Sequence, residues 1–181
     1  MKSKLSHSTH FELPGTLVAS LLMFAFFAFA QPASAEQEKL VLPPPGPHDS
    51  CPVCGMFPAK YPDWVATIVF KDGHAHHFDG SKDFFKFLLN MKKYSKDHKK
   101  EDIAKMGVTD YYATRMINPL TAYYVIGSDV LGPMGHELVP HPDTYDADEF
   151  MKDHRGRAIL RFDDITLELL EGLDKGEFPR K

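Results

Sequence analysis

The sequence predicts an α+β fold, with helices packed on a mostly antiparallel sheet. Three observations carry that expectation. Trp64, Ala66, Ile68 and Phe70 alternate along one face of residues 64–70, the period of a half-buried strand. Phe84, Phe87, Leu88 and Met91 form an apolar stripe at helical spacing. The order strand, strand-like segment, helix then recurs in the second half, which reads as a weak internal duplication.

Taken in order, Asp72-Gly73 is a hairpin turn signal and His74–Phe78 its return strand. Asp79-Gly80-Ser81 opens the first helix, with Asp79 or Ser81 as its cap. Residues 92–105 are charged, expected to be exposed and helical in part. Tyr111–Ile117 and Ala122–Ile126 are aromatic and β-branched, hence strand-like. The glycine-rich stretch Gly127–Gly135 reads as a loop and Glu137–Val139 as a short strand. Asp146 and Glu149 form a capping box for a helix over Ala147–His154, ended by Arg155-Gly156. Ala158–Phe162 is a strand, and Asp163 or Asp164 caps a last helix through Leu173.

Residues 1–35 have the three parts of an export signal. Lys2 and Lys4 lead, residues 17–30 are apolar apart from Ser20, and Ala33-Ser34-Ala35 precedes Glu36 as a small-residue cleavage site. The apolar run is short for a membrane span, and no cysteine near the cleavage point could accept a lipid. A soluble periplasmic protein is expected, membrane-anchored if the signal is uncleaved. Losing Lys2, Lys4 and Glu12 with the leader takes the net charge from −4 to about −5. That mild acidity argues against nucleic acid as a partner. Residues 36–50 form a linker, in which Pro43-Pro44-Pro45-Gly46-Pro47 suits neither helix nor sheet interior. Folding is expected to begin near Cys51 and to end near residue 173, leaving 174–181 as a tail.

Cys51 and Cys54 are the chain's two cysteines, set in Cys51-Pro52-Val53-Cys54-Gly55-Met56. Covalent haem attachment would need His at position 55. A structural zinc site would need two further ligands, recruited from histidines. A thiol–disulfide redox pair usually starts a long helix, whereas Pro58 and Pro62 follow here. A structural disulfide across so short a gap would be strained and gain little. The remaining reading is soft-metal binding: thiolate and thioether sulfur favour cuprous copper, and one turn can present Cys54 and Met56 together. A second soft element is Leu131-Gly132-Pro133-Met134-Gly135-His136. It sets Met134 in a turn, where a copper ligand or a plug beneath the loop would explain it, with His136 able to add imidazole. His141 is a further candidate. His74, His76 and His77 are second choices, with His74 and His76 on one face of their strand.

Cys51–Lys60, Phe78-Asp79-Gly80 with the helix behind it, Gly127–Val139 and His154–Ile165 together resemble the NosL family of nitrous oxide reductase accessory proteins. The resemblance implies a periplasmic Cu(I) chaperone that delivers copper to the nitrous oxide reductase apoprotein and has no catalysis of its own. It also implies two related ββαβ-type lobes, about 51–105 and 106–173, similar to a domain of organomercurial lyase. By matching motif, Cys54 and Met56 take copper-ligand roles, with Met134 and His136 from the second element. Cys51 either joins the copper or protects the site as a disulfide with Cys54. A periplasmic thiol–disulfide oxidoreductase using that pair, and a zinc-stabilised binding module, are the alternatives.

Overall fold

The computed structural model describes residues 40–178. The expected leader and the first residues of the linker lie outside the described residues. β1 (Ala66–Phe70) is built as its alternation predicts: Ala66, Ile68 and Phe70 are buried in the core. Trp64 precedes it in a 3-10 turn. At Asp72-Gly73 the chain reverses, with Gly73 at φ +88 and the Asp72 carboxylate accepting the His74 amide at 2.9 Å. β2 (Ala75–Phe78) then pairs antiparallel with β1.

α1 (Ser81–Leu89) buries Phe84, Phe85, Phe87 and Leu88. Phe84 and Phe87 meet Phe78 of β2 at ring separations of 5.9 and 5.2 Å. Phe85 instead meets Tyr124 and Phe162 from the second half, at 5.1 and 5.2 Å. One core therefore spans both halves. Neither Asp79 nor Ser81 caps α1. Its N-cap is Gly80, and the first-turn amide of Lys82 donates to the distant Glu137 carboxylate at 2.9 and 3.2 Å. A Cβ on Gly80 would sit 2.8 Å from a Glu137 oxygen, so a side chain there would have to push that carboxyl aside.

A short α2 (Met91–Tyr94) follows, and a 3-10 turn at Lys100–Asp102 is the other helical part of the charged segment. Residues from Ile103 onward form β3 (Ile103–Thr109), which pairs antiparallel with β1. The first sheet thus runs past residue 105, where the sequence ends the first lobe. β4 (Met116–Ile117) completes the order β2-β1-β3-β4. Only that end of the expected strand Tyr111–Ile117 forms, because the Asp110 carboxylate accepts the amides of Tyr112 and Ala113 and holds a turn there.

β5 (Tyr123–Ile126) is the centre of a second sheet, between β8 (Val139–His141) and β9 (Ala158–Leu160). Val125 and Val139 face Ala147 and Phe150 of α3 (Thr144–Asp153), while Tyr124 and Ile126 face the shared core. Asp143 caps α3, its carboxylate accepting the Asp146 amide at 3.0 Å, so the helix starts earlier than the Asp146 box suggests. α4 (Leu167–Asp174) is capped by Thr166, while Asp163 and Asp164 lie in a 3-10 turn before it. In each half a first strand lies between the second strand and the one after the helix, β2-β1-β3 and β8-β5-β9. That shared order is the physical form of the duplication. The departure is an inserted hairpin, β6 (Leu131–Gly132) and β7 (Gly135–His136), inside the stretch read as a loop. The linker is less idle than its prolines suggest, since Leu40 and Leu42 lie against Gly107 of β3. No helix of the described residues is long and apolar enough to cross a membrane.

Candidate metal centre

The cysteine element closes into a tight turn. The Gly55 amide donates to the Cys51 carbonyl at 2.8 Å, and the Cys51 amide to the Met56 carbonyl at 2.7 Å. Gly55 supplies the φ of +79 that this closure needs. Short 3-10 turns follow, so the pair does not stand at the start of a long helix. Cys51 is 2% exposed, Cys54 is half-buried, and both are free thiols.

Two aspartates complete the group. Cys51 Sγ lies 3.5 Å from Asp83 Oδ2, and Cys54 Sγ 3.1 Å from Asp79 Oδ1. Both carboxylates are at most 2% exposed. One donor atom from each of the four residues falls within 4.8 Å of all the others. Asp79 Oδ2 has no hydrogen-bond partner, and Asp83 Oδ1 has only the Lys86 ammonium, at 3.5 Å. Burying carboxylates so incompletely satisfied is costly without a cation to compensate them. Burial pushes the Cys51 thiol up to about 12. Burial, reinforced by the hydrogen bonds to Asp79 and Asp83, pushes the Cys54 thiol up as well. At neutral pH both sulfurs therefore hold protons that an arriving metal ion would displace. A disulfide-exchange nucleophile needs the opposite, a lowered thiol pKa.

The inserted hairpin brings the other sulfur. Met134 sits at its tip, 41% exposed, beside Gly135 at φ +81. Met134 and Cys54, far apart in sequence, line the same cleft of about 470 Å³, together with Val53, Asp83, Lys86 and Asp174. Lys82 fixes the hairpin against α1: its buried ammonium donates to the Met134 carbonyl at 2.9 Å and pairs with Asp174 at 3.1 Å. Glu137, just past the hairpin, holds the Lys82 amide, and its complete burial pushes its carboxyl up to about 8.

Among the residues expected from sequence, Cys51, Cys54 and Met134 are brought to this region. Met56 and His136 do not line the cleft. Met56 is half-buried beyond the Gly55 turn. His136 follows the hairpin tip onto β7, where its ring meets Phe178 edge-on at 4.8 Å. His141 is fully buried beside Phe150 at 4.7 Å, with neither ring nitrogen hydrogen-bonded. Asp79 and Asp83 were not among the expected ligands. The signal for Asp83 is its place one turn before Phe87 on the buried side of α1, where a charge needs a reason.

A family model described as NosL matches residues 44–170, well over half of the chain. The chain belongs to the NosL family. It is 30% identical over 167 residues to the copper-binding lipoprotein NosL of Stutzerimonas stutzeri, covering 87% of this chain and 82% of that one. It also shares its fold with the copper chaperone NosL from Shewanella denitrificans, known from a crystal structure, at a TM-score of 0.59 and 24% identity. That match covers 71% of this chain and 97% of the other. These NosL relatives are named for copper binding and for chaperoning, and neither is named for an enzymatic activity.

Proposed function

We propose that this chain is a Cu(I) metallochaperone that carries copper in the cleft between the cysteine turn and the β6–β7 hairpin, and delivers it to the nitrous oxide reductase apoprotein. The observation that carries the reading is the convergence of Cys54 and Met134 on one cleft, beside Cys51. Thiolate and thioether sulfur suit the soft cuprous ion, whereas carboxylate oxygen suits harder ones. Cys51, Cys54 and Met134 are accordingly the ligands. Asp79 and Asp83 hold the thiol protons until copper replaces them.

The geometry supports transfer as well as capture. Met134 is a neutral thioether on an exposed tip, so it is the ligand a client most easily displaces. The half-buried Cys54 follows, and Cys51, lying deepest, lets go last. Transfer is then ligand exchange without redox chemistry. The leader over residues 1–35 would place this exchange in the periplasm, on a soluble protein, although the Stutzerimonas stutzeri relative is named a lipoprotein.

Anaerobic Cu(I) titration of Cys54→Ser and Met134→Ala tests the site, followed by transfer from the loaded chain to metal-free nitrous oxide reductase. Weakened binding in both variants and activation of the reductase are expected. Unchanged affinity in both variants would dismiss the cleft. Binding with no transfer would leave the metal but remove the client. Steady turnover of a disulfide substrate would favour the oxidoreductase reading, which the raised thiols argue against. Zinc outcompeting Cu(I), with an unfolded metal-free protein, would favour a zinc-stabilised module.

A further inference from the structure

The copper cleft leaves a histidine cluster unused. His74 and His76 project from one face at the start of β2, and His98 comes from the segment after α2. The three rings surround Phe70, with His98 stacked on it at 4.0 Å. Ring centroids of His74 and His76 lie 4.7 Å apart, those of His74 and His98 5.4 Å, and those of His76 and His98 6.4 Å. With metal–nitrogen bonds of about 2.0–2.1 Å, imidazoles sharing an ion stand with centroids roughly 4.5 Å apart at a right angle and roughly 6.4 Å apart when opposed. All three separations fall within that span.

The surroundings suit imidazole ligands. Asp72 Oδ2 lies 2.8 Å from His98 Nε2, and Asp72 Oδ1 accepts the His74 amide at 2.9 Å. A carboxylate on one ring nitrogen fixes the tautomer and leaves the other, here Nδ1, as the donor. His76 is half-buried between Phe70 and Phe87, at ring separations of 5.5 and 5.0 Å. Packing on Phe70 alone would explain one stacked ring and leaves the gathering of three unexplained. None of the three lines the copper cleft.

We propose that His74, His76 and His98 form a second metal site, oriented by Asp72, for a borderline divalent cation. An all-nitrogen set lacks the sulfur that selects the cuprous ion and suits Cu(II) or zinc, with Cu(II) bound most tightly in the general order for such sites. Among the described residues, only the cysteine–aspartate group already has its ligand atoms within 4.8 Å. The histidine site closes on its ion by rotation of the exposed His74 side chain, whose ring otherwise lies parallel to that of His98.

Cu(II) electron paramagnetic resonance tests this in Cys54→Ser protein, where the more accessible thiol can no longer reduce the ion. One equivalent of Cu(II) with splitting from several nitrogens is expected. The double substitution His74→Gln, His98→Gln should weaken Cu(II) binding at least tenfold and abolish that splitting. Zinc should compete for the site only in large excess over Cu(II). His98, 14% exposed and stacked on Phe70, costs some thermal stability when replaced, whereas exposed His74→Gln alone should weaken Cu(II) binding without that cost; anaerobic Cu(I) binding by otherwise native protein carrying the double substitution should be intact. Cu(II) held equally well by the double variant, or bound without nitrogen splitting, would overturn the site. Neither result bears on the Cu(I) cleft.

Discussion

Cu(I) binding by this chain should release two protons, and the count follows from the thiols. Cys51 is raised to about 12 and Cys54 is raised too, so both are protonated throughout the physiological range. If both sulfurs ligate, each bound copper expels both protons. Its apparent affinity then rises about 100-fold, or about 2.7 kcal/mol, per pH unit. Between pH 6 and pH 8 the gain is about 10⁴-fold. Cys51→Ser removes one proton from the exchange and should cut the gain over the same span to about 100-fold. Met134→Leu, which removes a neutral ligand, should weaken binding equally at every pH. The assay is anaerobic competition with a chromophoric Cu(I) chelator, corrected for the chelator's own protonation, at four pH values. An affinity independent of pH would refute the reasoning, because it would mean that the sulfurs carry no protons to lose. A tenfold rise per pH unit in the native protein, unaltered by Cys51→Ser, would remove Cys51 from the site.

Glu137 makes stability fall as pH rises. Its carboxyl is raised from an ordinary value of 4.5 to about 8 in the folded state. The folded chain therefore keeps a proton that the unfolded chain loses, and stability drops between those values by up to about 1.4 kcal/mol per pH unit. Glu137→Gln keeps an oxygen to accept the Lys82 amide and should flatten that fall in urea unfolding; an identical slope in the variant would assign it elsewhere. Gly80→Ala should cost about 1–2 kcal/mol, because its Cβ would push the Glu137 carboxylate off the start of α1. Denaturant midpoints check this, and a neutral substitution would show that the carboxylate moves aside freely.

The elements that could be read from sequence are those with a clean local period. The alternation at Ala66, Ile68 and Phe70 and the stripe at Phe84, Phe87 and Leu88 both face the core as expected. β3 escaped notice because its first half carries exposed Ala104 and Lys105, which look like the charged segment before them. α1 starts where expected, but its first-turn amide is served by the remote Glu137 rather than by Asp79 or Ser81, which no local pattern reveals; α3 and α4 start at the local caps Asp143 and Thr166 instead of the acidic residues expected. The same limit applies to the site. Cys51, Cys54 and Met134 were legible as soft donors in unusual turns. Asp79 was read as a cap, whereas its carboxylate instead accepts the Cys54 thiol. His136 adjoins a good ligand in sequence, but past the hairpin tip its ring meets Phe178. Adjacency along a chain is a poor guide wherever the backbone reverses between neighbours.

Anomalous diffraction at the copper edge, from crystals of the anaerobically Cu(I)-loaded chain, tests the central claim most directly. The account predicts one strong peak in bonding contact with Cys54 Sγ and Met134 Sδ, beside Cys51. A copper peak elsewhere on the molecule, with no density between those two sulfurs, would contradict it.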